Sequence, residues 1–160
     1  MDLGNKHEQA LRVFNGLCAN LDAHHWRYDK NEGELTIDCQ AQGDDLPMEI
    51  RLEVHEERRF VTLLSHQPFV VKEEKRLDMA VAVSVVNNML LDGSFDFDIK
   101  NGHMFFRMTS SYIDSLLGDE LFSYMIGLSL KVIDDFNDKF FMLSSGMITI
   151  EQFLEITSKK

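Results

Sequence analysis

The side chains that could do chemistry in this sequence are six histidines, two cysteines and a few clusters of carboxylates. Their spacing argues against most of that chemistry. His24 and His25 are adjacent, so their rings cannot share one helical face as two metal ligands four residues apart would. His7, His55, His66 and His103 fall in separate stretches and read, like the pair, as solvated or capping rings. Asp92, Asp96 and Asp98, followed by Asn101-Gly102, resemble a calcium loop only faintly. With Asp96 and Asp98 in the first and third places, the sixth is Asn101 and the twelfth Arg107, where such a loop needs glycine and glutamate. These carboxylates instead read as the outward side of a strand whose inward residues are Phe95, Phe97 and Ile99. Asp134, Asp135 and Asp138 are neighbours on a helix. No second carboxylate helix and no Glu-x-x-His string accompanies them, so they form a solvated face. Cys18 and Cys39 have neither metal nor redox spacing and read as buried, reduced thiols. No serine sits in a nucleophile elbow, and no glycine-rich loop opens a helix after a strand. The sequence therefore predicts no catalytic residue, no metal site and no cofactor.

The elements that would position these side chains follow from periodicity. Ala10, Phe14, Leu17, Cys18 and Leu21 fall on one face of a helix over Lys6 to Ala23. Trp26 to Asp29 is a short strand, and Leu35, Ile37, Cys39 and Ala41 alternate with Thr36, Asp38 and Gln40 in the next. Met48, Ile50, Leu52 and Val54 alternate with Glu49, Arg51, Glu53 and His55 in a third strand opened by Pro47. Phe60 to Gln67 returns, and Pro68 stops it, since proline cannot donate to a ladder. A long helix is predicted over Lys72 to Leu91, with Glu73 and Glu74 in its first turn and Asp92-Gly93 ending it. A second hairpin pairs Phe95 to Ile99 with Met104 to Thr109, and Asn101-Gly102 predicts a two-residue tip with positive φ at both positions. A third helix covers Asp119 to Leu143, with Gly146 as its terminator. Thr149-x-x-Gln152 is a capping box opening a short last helix at about 149–157. Strands grouped in hairpins predict an α+β fold: an antiparallel sheet of five to six strands with three main helices, in one domain spanning 1–160.

A net charge of −11 repels nucleic acid and anionic lipid, and the 16 basic residues are scattered. The same charge favours solubility and attraction to a basic partner. No apolar run reaches 18 residues and the first 25 residues lack an unbroken apolar core, so neither a membrane span nor a signal peptide is expected. The expected location is the cytoplasm.

The helices carry more apolar surface than one stripe requires. In the second, Leu77, Val81, Val85 and Leu91 lie near one line, and Met79, Val83, Val86 and Leu90 form another. In the third, Leu121, Met125, Leu128, Val132 and Leu143 form one stripe, and Phe122, Ile126, Leu130 and Ile133 the next. Gly127 costs roughly 1 kcal/mol against alanine in a helix, which suggests tight packing there. Phe60, Leu64 and Phe105 break the alternation of their strands. Either the helices are pressed between sheet and neighbouring helix, or another chain buries the excess. Taken as an interface, the surface comprises Met79, Val83, Val86 and Leu90 with Phe122, Ile126 and Ile133, in an isologous homodimer that binds a protein partner. The alternative is a small-ligand sensor, with an apolar pocket between sheet and helices lined by Phe95, Phe97, Phe105 and Met125.

The stretch from Trp26 to Gly146 carries further particular strings: Trp26-x-Tyr28, Gly33 before the Leu35 strand, and Gln67-Pro68 leading into the helix. In VVNNMLLDGSFDFD, Asn87, Leu90, Gly93 and Phe95 follow the pattern N, two, L, two, G, one, F. The Asn101-Gly102 hairpin, Phe106-Arg107 and the long helix ending at Gly146 follow. In these features the chain resembles the YbjN domain family, whose fold is similar to that of the type III secretion chaperones. The short helix after Gly146 is more similar to YbjN proteins than to those chaperones. The resemblance implies a chaperone-like or regulatory domain, acting as a small acidic homodimer that holds a partner segment. It carries over no catalytic residue.

Overall fold

The computed structural model describes residues 5–158. Its elements run α1 (Lys6–Ala23), β1 (Tyr28–Asn31), β2 (Thr36–Gln42), β3 (Pro47–His55), β4 (Phe60–His66), α2 (Arg76–Met89), β5 (Ser94–Phe97), β6 (Met104–Ser111), α3 (Asp119–Ser145) and α4 (Ile150–Thr157). Alternation is what builds the sheet. Ile37, Leu52, Leu63 and Met108 stand side by side in register on one face, all buried. Asp38, Arg51, Leu64 and Arg107 form the matching row on the other. The six strands pair antiparallel in the order β1-β2-β3-β4-β6-β5. This is the α+β architecture that hairpin-grouped strands predict.

The apolar face of the sheet takes α1 and α3 against its middle and α2 against the edge strand β5. The core there is aromatic. Phe95 meets Phe106 and Phe140 at ring centroid distances of 5.2 and 4.9 Å, and Phe140 stacks on Phe153 of α4 at 5.4 Å. Two buried amides join α1 to the rest. Gln9 donates to the carbonyls of Tyr112 and Ser115 at 2.8 and 2.7 Å, and Asn20 donates to Ser123 Oγ at 2.9 Å. Neither residue is marked by periodicity, because a polar residue inside an apolar stripe looks like an interruption.

The capping box of α4 is present in both directions, and Gly146 ends α3 in the left-handed region at φ 79°. Four local expectations are corrected. β1 begins at Tyr28 rather than Trp26, because the Trp26 amide bonds back to the Leu21 carbonyl and still belongs to the end of α1. α2 begins at Arg76, preceded by a 3-10 turn over Glu73–Lys75, and stops at Met89, since Leu90 is already extended. The β5–β6 tip is not a two-residue turn. Asp98 Oδ1 accepts from the amides of Lys100 and Asn101, Gly102 bonds back to the Asp98 carbonyl, and only Gly102 has positive φ. The Asp98 side chain thereby ends β5 at Phe97. Gly127 packs against nothing: a Cβ there would meet no atom within 4 Å.

Gly93 is the opposite case. Its φ is +73°, and a Cβ would come within 2.3 Å of Phe106 Cζ in the core. Gly93→Ala is expected to destabilise the fold by about 2 kcal/mol or more, through strain and displacement of that ring. Gly127→Ala is expected to stabilise it by up to about 1 kcal/mol. Urea denaturation of both variants measures the difference; loss of stability in Gly127→Ala would mean that the helix is packed there.

Candidate protein-interaction surfaces

Six of the seven residues expected at an interface lie inside the chain itself. Met79, Val83, Val86, Phe122, Ile126 and Ile133 are buried in the core, and Leu90 is half-buried against it. They lie in the core rather than on the surface, because α2 turns Met79, Val83 and Val86, and α3 turns Phe122, Ile126 and Ile133, toward the chain's own buried cluster. The other stripe of α2 is the exposed one. Leu77 is 75% exposed, Val81 48% and, just beyond the helix, Leu91 96%. Ala80 and Ser84 lie beside them and line an open groove of about 530 Å³ shared with Phe97 and Ile99 of the β5–β6 hairpin. Val70 is also exposed and lies against Gly102 at the hairpin tip.

One side chain holds α2 in this rotation. Asn87 Oδ1 accepts from the Phe95 amide at 2.8 Å, and its Nδ2 donates to the Phe95 carbonyl at 2.9 Å. β5 is an edge strand, and these two backbone groups point away from β6. Asn87 supplies what a seventh strand would.

The four residues expected to line an apolar pocket do not share one. Phe95 and Met125 are buried in the core, whereas Phe105 lies on the opposite face of the sheet, in ring contact with His66. Nor do the titratable clusters make a centre. Among the described residues no group of three or more His, Cys, Asp or Glu is placed to hold a metal ion. Asp134 caps the Asp44 amide, Lys131 pairs with Asp135, and Lys139 pairs with Asp138. Both thiols are buried; burial pushes Cys39 up to about 11 and raises Cys18, so neither is a thiolate nucleophile at neutral pH. Among the described residues no helix is long and apolar enough to cross a membrane.

Among the described residues no helix packs on the outer face of the sheet. Arg51 grips Asp38 with two hydrogen bonds of 2.7 and 2.8 Å, and Arg107 pairs with Asp96 at 2.8 Å. The Arg51 hydrogen bond holds the Asp38 carboxyl below its ordinary range. A depressed carboxyl stabilises the fold above its unfolded pKa, and that contribution disappears as pH falls through the folded value. The pair is half-exposed, so its worth is below about 1 kcal/mol. Arg51→Gln is expected to return Asp38 to an ordinary carboxylate titration, read from its side-chain carbon by NMR; an unchanged Asp38 would show that Arg51 is not the cause.

Asn87→Leu leaves the Phe95 amide and carbonyl without partners at a half-buried edge, at an expected cost of about 1–3 kcal/mol. Asn87→Asp keeps an acceptor for the amide but sets a carboxylate against the carbonyl, so it should not restore stability at neutral pH. Wild-type stability in either variant, measured by urea denaturation, would mean that the amide pair carries no weight.

No known protein-family profile matches the chain, and no curated protein matches it. Solved structures do. YbjN from E. coli, a proposed transcription regulator, matches with a TM-score of 0.56 at 13% identity, over 76% of this chain and 85% of that one. A chain of the HopA1–SchA chaperone–effector complex matches with a TM-score of 0.58 at 11% identity, over 81% of this chain and 96% of that one. At such identities the likeness is one of fold, and the chain has a YbjN-like, chaperone-like fold.

Proposed function

We propose that this chain is a non-enzymatic protein-binding module, chaperone-like or regulatory, that acts as a homodimer joined through the exposed stripe of α2. The observation that carries the reading is the pair Leu77 and Val81, exposed on a helix whose opposite stripe already fills the core. Contiguous exposed apolar surface rimmed by polar residues marks a protein contact. Ala80 and Ser84 are small enough for a second helix to approach closely. A specific interface buries about 1,200–2,000 Å² in total, more than one helix stripe supplies. Ile99, exposed on the hairpin, shares the groove with Ala80 and Ser84 and adds to this face. A two-fold axis through α2 sets each stripe against its copy, which satisfies both with one patch. The fold likeness to a chain of a chaperone–effector complex supports a protein as the further partner.

Light scattering after size exclusion tests this. Wild type is expected at twice the chain mass of 18.5 kDa. Leu77→Glu and Val81→Glu should be folded monomers, with self-association weakened about 30-fold or more and monomer stability within about 0.5 kcal/mol of wild type. Val83→Glu would be uninformative, since Val83 is buried in the core and the charge would unfold the chain. A monomeric wild type, or a Leu77→Glu dimer, would place self-association elsewhere or remove it.

A further inference from the structure

The net charge of −11 is not spread evenly. Between Asp29 and Glu57 the chain has ten carboxylates against only Lys30 and Arg51, which accounts for eight of the eleven net negative charges. This segment is β1 to β3 with their turns. On the strands its carboxylates point one way, whereas Lys30 stands opposite Ile37 on the helix-covered face. Asp29 pairs across to Asp38, Asp38 to Arg51, and Glu53 to Thr36, all on the uncovered face. Asp38 is answered by Arg51, whereas Glu49 and Asp29 have no cation partner among the described residues.

The same face is concave. A groove of about 820 Å³ crosses β1, β2, β3 and β4, with Asp29, Asp38 and Glu49 along it beside Arg51 and Arg27, and with Leu64 and His66 at its β4 side. That volume is within the range of sites that hold a ligand of several side chains' size. Leu64 is half-buried and apolar in the middle of a polar face, one of the residues that break strand alternation.

We infer that the outer face of β1–β4 is a docking surface for a partner segment that is rich in lysine or arginine and carries at least one apolar side chain. The cations answer Asp29 and Glu49, and the apolar side chain seats on Leu64. The choice of occupant rests on charge complementarity. A second copy of this acidic face would be repelled, as would nucleic acid or an anionic membrane. The inference rests on the reading of the chain as a protein-binding module, but it uses a surface on the other side of the sheet from α2.

The probe is a fluorescein-labelled decapeptide of alternating lysine and leucine, with a glutamate–leucine peptide of equal length as control, read by anisotropy. The basic peptide should bind and the acidic one should not. Raising salt from about 50 to about 300 mM should weaken binding, since the contact is at the surface. Glu49→Lys and Leu64→Thr should each weaken it about fivefold or more. Glu120→Lys, an equal change of charge at the exposed start of α3, should leave it within about twofold. No binding of the basic peptide, or equal losses in Glu49→Lys and Glu120→Lys, overturns the inference, the second because only net charge would then be at work. Loss in Leu77→Glu with none in Glu49→Lys also overturns it, placing the peptide on α2. Light scattering on the same samples reports self-association separately, so failure of the groove and failure of the dimer are told apart.

Discussion

An edge strand leaves every second backbone amide and carbonyl facing outward, and here one asparagine answers those of Phe95. The double hydrogen bond from Asn87 to Phe95 ties α2 to β5 at a defined rotation about the helix axis. Residue 87 lies at the border between the two stripes of α2. With its amide on the strand, Met79, Val83 and Val86 turn into the core while Leu77 and Val81 turn out. The rest of this corner depends on the same contact. The chain must drop from Leu90 to β5 in a few residues, which brings Gly93 to positive φ directly beside the Phe106 ring. Phe95 then enters the aromatic cluster that joins β6, α3 and α4. The four residues of the sequence pattern, Asn87, Leu90, Gly93 and Phe95, are thus a clamp, a helix exit, a steric vacancy and an anchor.

That division explains what could be read from the sequence. β3 is legible residue by residue, because period two with one buried face permits only one register. The helix caps at Gly146 and Thr149 are equally legible, since each rests on a local backbone requirement. The two stripes of α2 are visible too, but periodicity says that two exist and not which one the core takes. The arbiter is a hydrogen bond from Asn87 to a strand eight residues on, and no helical period encodes it. Gly127 misleads for a related reason: absence of a side chain signals close approach or mere tolerance with the same letter, and only the empty surroundings separate them. At Asn101-Gly102 the expected turn gives way because Asp98, just before it, takes two amides and lengthens the loop.

One-sided burial of the sheet also separates two kinds of surface. Apolar excess is gathered on α2 and the β5–β6 hairpin, and carboxylates on β1–β3 at the far side of the strand order. The separation protects both edges. At one, Asn87 occupies the groups that would otherwise template another strand; at the other, β1 is four residues long and carries Asp29 and Lys30. An α2 stripe this exposed beside an unguarded strand edge would invite sheet-to-sheet association. Asn87 takes the Phe95 groups in the middle of that edge and so narrows this route.

The histidines complete the case on the outer face. Phe60 and Phe105 stand on its solvent side, where bare aromatic rings are costly to hydrate. His55 lies against Phe60 with ring centroids 4.3 Å apart, and His66 against Phe105 at 5.4 Å. An imidazole has an apolar edge for the phenyl ring and two nitrogens for water, so each one covers its neighbour without burying a charge. Two of the side chains with the most chemical potential in the sequence therefore serve as covers of half-buried aromatics, and they leave between them a polar sheet face interrupted by Leu64. A face built in that way stays soluble when empty and still offers apolar area to a chain that arrives with the right charge.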